Sequence, residues 1–107
     1  MRRIVLLRDA TRELGEAARW YETRERGLGQ DLLTRVKIKL TRVAETPEIY
    51  QQWEKGRPYR RAAVSRFPFV IFYVADAETV YVYAVAQAWL LAWQKTRPLA
   101  SRLLSVC

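Results

Sequence analysis

The most regular hydrophobic pattern lies in the second half of the chain. Two apolar runs rich in β-branched and aromatic residues, 69–74 and 80–86, are separated by a short polar break. Runs of this kind, bounded by polar or turn-forming residues, are typical of strands joined by tight turns. Residues 57–66 precede them with an imperfect alternation of polar and apolar side chains. We therefore predict three consecutive antiparallel strands, with a break or bulge at Pro68 because proline donates no hydrogen bond to a strand ladder.

The middle strand of this meander is apolar on both faces, since successive residues of a strand point to opposite sides of the sheet. One face carries Phe69, Ile71 and Tyr73, and the other carries Val70, Phe72 and Val74. In the last strand the same alternation places Val80, Val82, Ala84 and Ala86 opposite Tyr81, Tyr83 and Val85. A strand with two apolar faces lies inside a sheet, so we expect the middle strand to be central.

The first half of the chain predicts a short strand and an amphipathic helix. Residues 3–7 form a brief β-type run, which we interpret as an edge strand. Either Asp9 or Thr11 is expected to cap the helix that follows, because its side-chain oxygen can accept from a free amide of the first turn. The apolar positions of this helix have spacings of three and four, which places them on one stripe. They are Ala10, Leu14, Ala17, Ala18 and Tyr21.

A second amphipathic helix is predicted over about residues 30–45, after a stop at Gly27-Leu28-Gly29. Glu22 and Arg26, four residues apart before this stop, are expected to form a weak ion pair. The buried stripe of the second helix is Leu32, Leu33, Val36, Leu40 and Val43. A short joint between two such helices predicts an antiparallel helix hairpin.

These elements predict an α+β fold with the order β-α-α-β-β-β. The helix hairpin packs on one face of a small, mostly antiparallel sheet. A length of 107 residues fits one domain, so we assign residues 1–107 to it. Tyr50 and Trp53, in the connector after the second helix, are expected to cap the core. From Gln87 onward the apolar pattern changes, and residues 87–107 are interpreted as a divergent tail, either a short docked helix or a loose segment.

The charge balance predicts an acidic partner. The chain has 19 Lys and Arg against 11 Asp and Glu, a net charge of +8, which favours binding to nucleic acid, an acidic protein or an anionic membrane. No apolar run approaches the roughly 20 residues of a membrane span, so we expect no membrane association. The one cysteine, Cys107, supports no disulfide framework and indicates a reducing cytoplasm. The chain has no histidine, the commonest general base and metal ligand, and we expect neither a cofactor nor a metal.

Five segments, in this order and spacing, carry a resemblance to a known family. They are ELGEAARWYE (13–22), GLGQDLL (27–33), ETPEIY (45–50), RRAAVSRFPFVIFYV (60–74) and VYVYAVA (80–86). Together they resemble the RelE/ParE toxin superfamily of bacterial type II toxin–antitoxin systems over residues 4–86. The resemblance implies a small basic toxin held silent in a hetero-oligomer by an acidic antitoxin encoded beside it. The C-terminal segment of the antitoxin would lie over the helix hairpin and the sheet.

Two activities divide this superfamily: RelE-like members cut messenger RNA in the ribosome, and ParE-like members inhibit DNA gyrase. RelE-like members carry an arginine on the central strand, at the position that aligns with Val70. Many also have a histidine, arginine or tyrosine after the last strand, where this chain reads Gln87-Ala88-Trp89-Leu90. The form Phe-Pro-Phe-x-Ile-x-Tyr is more similar to ParE. The resemblance therefore favours a gyrase inhibitor over an enzyme, with two alternatives: a ribosome-dependent endoribonuclease, or a degenerate toxin that only binds its antitoxin.

Basic residues supply most of the candidate site. If the chain were a nuclease, the weak catalytic candidates would be Arg57, Arg60, Arg61 and Arg66. The residues predicted to bind the antitoxin or the target are Arg35, Lys39, Arg57, Arg60, Arg61, Arg66, Gln87 and Trp89. Arginines on an edge strand equally fit a guard against aggregation, and a basic helix face is most often simply solvated. The departure of the tail from the family pattern after Gln87 is either true divergence or a shifted reading frame.

Overall fold

The computed structural model describes residues 1–52 and 58–87. Along the chain lie β1 (Arg3–Leu6), α1 (Arg8–Arg24), α2 (Leu28–Glu45), a short 3₁₀ helix (Pro47–Ile49), β2 (Arg60–Ala63), β3 (Phe69–Ala75) and β4 (Thr79–Gln87). The predicted order β-α-α-β-β-β is confirmed. The expectations for Trp53, Arg57, Trp89 and the rest of the tail fall outside the described residues.

The four strands form one mixed sheet in the order β1-β4-β3-β2. β1 lies at an edge and pairs in parallel with β4, with Ile4 opposite Val80. The other two pairs are antiparallel, and β3 is central, as its two apolar faces predict. A parallel pair requires the chain to cross back over the sheet, and the helix hairpin supplies that crossover.

The two helices cover one face of the sheet, which we call the helix face. Leu32, Val36 and Val43 of α2 are buried there against Ile71 and Tyr73 of β3. The second apolar cluster lies on the other face, which we call the far face, and is formed by Tyr59, Val70, Phe72 and Ala84. The predicted alternation of β3 is therefore confirmed on both faces. Burial of both sides of β3 explains why it is the most hydrophobic segment of the sheet.

A β-bulge reverses the phase of β4 halfway along the strand. Phe72 pairs with Ala84 but Tyr73 pairs with Val82, which leaves Tyr83 as the extra residue. One extra residue moves every later side chain to the opposite face. Val80 and Val82 share one face, as predicted, and it is the helix face. The prediction was wrong beyond the bulge, where Val85 joins the helix-face core and Ala84 and Ala86 join the far face.

The start of α1 differs from the predicted cap. α1 begins at Arg8 with Leu7 as N-cap and no capping side chain. Asp9 therefore lies within the first turn, and Thr11 donates from Oγ1 to the Leu6 carbonyl at 3.4 Å instead of capping. The prediction failed because the helix begins directly after β1, so Leu7, which has no side-chain acceptor, occupies the N-cap position.

The loop between β2 and β3 is longer than predicted. β2 ends at Ala63, and the backbone then turns back, with the Val64 amide donating to the Phe69 carbonyl at 2.9 Å. Arg66 takes a left-handed conformation in this turn, with φ of 70°. Pro68 thus interrupts the ladder as predicted, but as part of a hairpin loop and not as a bulge within a strand.

Candidate partner-binding surface

The predicted site residues that the structure describes are divided among three places. Arg35 and Lys39 lie one turn apart on α2, and Arg60 and Arg61 begin β2. Arg66 and Gln87 lie at the other end of the sheet, in the β2–β3 loop and at the end of β4 opposite Phe69. The structure connects Lys39 of the first group with Arg60 of the second through Tyr50, and both lie away from the third group.

Tyr50 connects α2 with β2. The Lys39 Nζ lies 5.5 Å from the centroid of the Tyr50 ring, and Arg60 donates from Nη1 to the Tyr50 carbonyl at 2.7 Å. The same ring meets Tyr73 edge-on, with centroids 6.4 Å apart. Tyr50 is half-buried and packs on the helix-face core, as predicted. Tyr50 thereby contacts two cations, Lys39 through its ring and Arg60 through its backbone carbonyl.

Arg60 and Arg61 lie on opposite faces of the sheet although they are adjacent in sequence. Arg60 pairs with Tyr73 on the helix face, and Arg61 pairs with Phe72 on the far face. The Arg61 amide donates to the Gln51 carbonyl at 2.9 Å, and its Nη2 donates to the Gln51 Oε1 at 3.0 Å. The connector therefore lies along the outer edge of β2 at this point, and the two arginines cannot serve one site on one face.

Arg35 forms an ion pair within α2. Its Nε lies 3.7 Å from the Asp31 carboxylate, one turn earlier. A partly exposed pair at this spacing contributes only a few tenths of a kcal/mol to stability. Arg35 therefore extends the cationic surface of Lys39 by one helical turn, partly neutralised by Asp31.

An open pocket of about 190 Å³ lies at the Arg60 end of the sheet. It is lined by Arg2, Pro47, Glu48, Pro58, Arg60, Ala75 and Asp76. Asp76 accepts the amides of Glu78 and Thr79 at 2.9 and 2.7 Å, and these backbone hydrogen bonds lower the pKa of its carboxyl group. Arg2 was not predicted as a site residue, because its place beside Arg60 in this pocket depends on the pairing of β1 with β4. We call this site the Arg2–Arg60 pocket.

The family model of the ParE toxin of the type II toxin–antitoxin system, parDE, matches residues 4–88. The chain belongs to this family. Its structure is similar to a solved chain described as a chromosomal ParDE system from P. aeruginosa, with a TM-score of 0.67, 11% identity, and coverage of 81% of this chain and 96% of that one. At that identity the likeness shows the fold. No curated protein matches this ParE-family chain.

Two strand residues of this ParE-family chain, Val70 and Tyr73, offer no acid–base chemistry. Val70, at the position of the RelE-type arginine, is 5% exposed and packs in the far-face cluster. Tyr73 is fully buried and donates its hydroxyl proton to the Pro47 carbonyl at 2.6 Å. Burial raises the pKa of Tyr73 far above its ordinary value, although the nearby Arg60 acts in the opposite direction. A hydroxyl that is buried, neutral and already bound cannot transfer a proton to a substrate at neutral pH.

One surface feature of this ParE-family chain was missed at the sequence level. Trp20 of α1 is 51% exposed, and the guanidinium of Arg24 lies 4.3 Å over its ring centroid. Its neighbour Tyr21 meets Trp20 and Phe67 edge-on, with ring centroids 5.0 and 5.2 Å away. The sequence pattern that could have indicated this feature is a tryptophan beside the apolar stripe of α1, followed four residues later by an arginine.

Residues 1–52 and 58–87 contain neither a cluster of metal ligands nor a helix that could span a membrane. Over these ranges no group of three or more His, Cys, Asp or Glu residues is arranged to hold a metal ion. Neither α1 nor α2 combines the length and apolarity that crossing a bilayer requires.

Proposed function

We propose that this ParE-family protein is a toxin that inhibits DNA gyrase and is neutralised by an acidic antitoxin. The family match over residues 4–88 carries the proposal. A net charge of +8 supports an acidic partner. The antitoxin would bind along the helix hairpin and the sheet in a hetero-oligomer, and the toxin would act in the cytoplasm.

The cationic residues Lys39 and Arg60 are the best-positioned part of this antitoxin surface. Both contact Tyr50, Lys39 at its ring and Arg60 at its carbonyl. Charges at an interface accelerate association with a partner of opposite sign and select against partners of like sign, and both of these residues are partly exposed. Arg66 and Gln87, at the opposite end of the sheet, would meet a different part of an extended partner.

The chemistry of the sheet favours gyrase over messenger RNA as the target. Cleavage of RNA needs a group that activates the 2′-hydroxyl and a group that protonates the leaving oxygen. The chain has no histidine, Val70 replaces the strand arginine, and Tyr73 is sequestered by Pro47. Arginine remains protonated at neutral pH, so Arg60 and Arg61 can stabilise charge but act poorly as bases.

Expression of the protein without antitoxin tests the target. We expect loss of supercoiling by purified gyrase and a DNA-damage response in cells, with no new transcript ends on translated messages. Co-expression with the neighbouring reading frame should restore growth and yield a stable complex on purification. Codon-phased cuts in messenger RNA that disappear in Arg60→Ala or Arg61→Ala would reverse the assignment in favour of a ribonuclease. If the protein binds the antitoxin but is not toxic, the interpretation that remains is a degenerate toxin that only binds its antitoxin.

A further inference from the structure

Two guanidinium groups line the Arg2–Arg60 pocket, and backbone carbonyls hold both of them. Arg2 donates from Nε to the Asp76 carbonyl at 2.8 Å and from Nη1 to the Ala44 carbonyl at 3.3 Å. Arg60 donates from Nη1 to the Tyr50 carbonyl at 2.7 Å. A carbonyl fixes the orientation of a guanidinium but does not neutralise its charge. Each arginine has five N–H donors, so both retain donors for a ligand.

The charges of this pocket are not cancelled by ion pairs within the described ranges. There, the pairs closer than 4.0 Å are Arg12 with Asp9, Arg12 with Glu16, and Arg35 with Asp31. Neither Arg2 nor Arg60 is among them. The Arg2–Arg60 pocket thus presents two oriented guanidinium groups with free donors. The carboxylates of Glu48 and Asp76 line the same pocket, and the charge of Arg2 attracts that of Asp76 without an ion pair closer than 4.0 Å.

The size and the rim of the pocket restrict which anion it can take. Its volume of about 190 Å³ is below the roughly 300–1,000 Å³ of sites for drug-sized ligands, so it fits a single side chain better than a nucleotide. Glu48 and Asp76 also line it, and their carboxylates oppose the passage of a chain of phosphates. A lone carboxylate carries a single charge, so these two carboxylates repel it less than they repel a chain of phosphates.

We propose that the Arg2–Arg60 pocket binds one aspartate or glutamate side chain of an acidic partner polypeptide. The guanidinium groups would hold its two oxygens by charge-assisted hydrogen bonds, which are stronger than those between neutral groups. The proposal rests on the proposed function only for the existence of an acidic antitoxin as that partner. It adds Arg2 to the surface and gives Arg60 a role that Arg61 does not share.

The adjacent arginine supplies a matched control. Arg60→Ala and Arg61→Ala each remove one positive charge from β2 and at least one hydrogen bond to the connector. Their side chains lie on opposite faces of the sheet. Only Arg60 lines the pocket. General electrostatic attraction would treat the two variants alike, whereas a specific pocket would not.

The test uses the full chain and two capped peptides, one of alternating glutamate and alanine and one of alternating glutamine and alanine. Nitrogen-15 NMR titration gives the dissociation constant and follows the arginine Nε signals. We expect Arg2→Ala and Arg60→Ala each to weaken binding of the glutamate peptide by about tenfold or more. Arg61→Ala should weaken it by less than about threefold. The double variant should lose less than the product of the two single losses, because both arginines hold one ligand.

Arg60→Lys keeps the test decisive if Arg60→Ala unfolds. It retains the charge but cannot donate to Tyr50 and to a carboxylate through one planar fork, so binding should again weaken. Equal losses in Arg60→Ala and Arg61→Ala, or equal binding of the glutamine peptide, would overturn the proposal. Tighter binding of oligothymidylate, abolished by Arg2→Ala, would identify a phosphate site instead and overturn it as well.

The full antitoxin separates this proposal from the proposed function. If it binds the wild-type chain and Arg60→Ala equally, the pocket fails and the toxin–antitoxin assignment stands. If it does not bind the wild-type chain but the glutamate peptide still depends on Arg2 and Arg60, the pocket stands and the antitoxin assignment fails.

Discussion

The carboxylate of Glu22, in the last two turns of α1, accepts a hydrogen bond from the backbone amide of Gly29 at 2.9 Å, in the first turn of α2. Its other oxygen accepts the Gly27 amide at 2.8 Å. The amides at the start of a helix have no partner within the helix. A side chain of one helix therefore caps the next, and this explains why Glu22 does not form the predicted pair with Arg26, which lies beyond the end of α1.

Glu22→Gln should reduce stability at neutral pH and flatten its dependence on acid. The amide hydrogen bonds of Gly27 and Gly29 lower the pKa of Glu22 in the folded protein. A carboxyl group with a lowered folded pKa contributes stability above its unfolded pKa, and this contribution is lost as the pH falls through the folded pKa. Urea unfolding at pH values from 7 down to 3 measures it. Parallel pH profiles of wild type and variant would show that the carboxylate charge is unimportant.

Glycine at position 29 is required by the close approach of the two helices. A Cβ there would overlap the carbonyl oxygen of Ala18, a backbone atom of α1. We expect Gly29→Ala to cost about 1–3 kcal/mol of unfolding free energy, because α1 and α2 must move apart. Gly15→Ala is the control, since its Cβ would meet only the end of the Arg19 side chain, at 3.5 Å. That variant should gain up to about 1 kcal/mol from helix propensity, and a gain of similar size at position 29 would contradict the packing.

The Tyr73 hydroxyl of β3 donates a hydrogen bond to the carbonyl of Pro47, in the 3₁₀ helix that follows α2. Tyr73→Phe leaves that carbonyl without its partner and should cost about 1–3 kcal/mol. Burial raises the pKa of Tyr73 in the folded protein. The neutral hydroxyl therefore contributes its full stability to the fold below the unfolded pKa near 10, and this contribution is lost as the pH rises above that value. The variant should therefore show a weaker loss of stability at alkaline pH. An identical alkaline profile would indicate that Tyr73 does not control it.

Substitutions in the central strand β3 should cause the largest losses of stability. Ile71 is fully buried, and Ile71→Ala should cost roughly 2–5 kcal/mol. Lys37→Ala, on the exposed side of α2, should change stability by less than about 0.5 kcal/mol. Leu14 is only partly buried, so Leu14→Ala should fall between the two. Chemical denaturation of the three variants measures this order, and equal effects would contradict the assigned faces.

Association with the proposed acidic antitoxin should slow as salt is added. Long-range attraction between opposite charges accelerates encounter, and salt screens it over about 10 Å at 0.1 M. Stopped-flow mixing over a series of salt concentrations measures the rate. Arg12→Ala is a useful control, since Arg12 pairs with Asp9 and Glu16 within α1. An association rate that is independent of salt would remove charge as the driving force.

The sequence by itself determined the elements and their order. The stripes of α1 and α2 and the two apolar faces of β3 follow from local periodicity, which depends only on the geometry of helix and strand. Pro68 and Gly27 marked breaks for equally local reasons. The family could be identified from the same segments, because its motifs coincide with these elements.

Only the tertiary structure decided which elements meet and in what register. The parallel pairing of β1 with β4 brings Arg2 to Arg60, which is 58 positions away in the chain. The bulge at Tyr83 exchanges the two faces for the side chains in the later half of β4. The pairing of β2 with β3 places Arg60 and Arg61 on opposite faces of the sheet. Each of these depends on hydrogen bonds and packing between distant residues. No local pattern encodes them, because a register shift of one residue changes every face without changing the sequence.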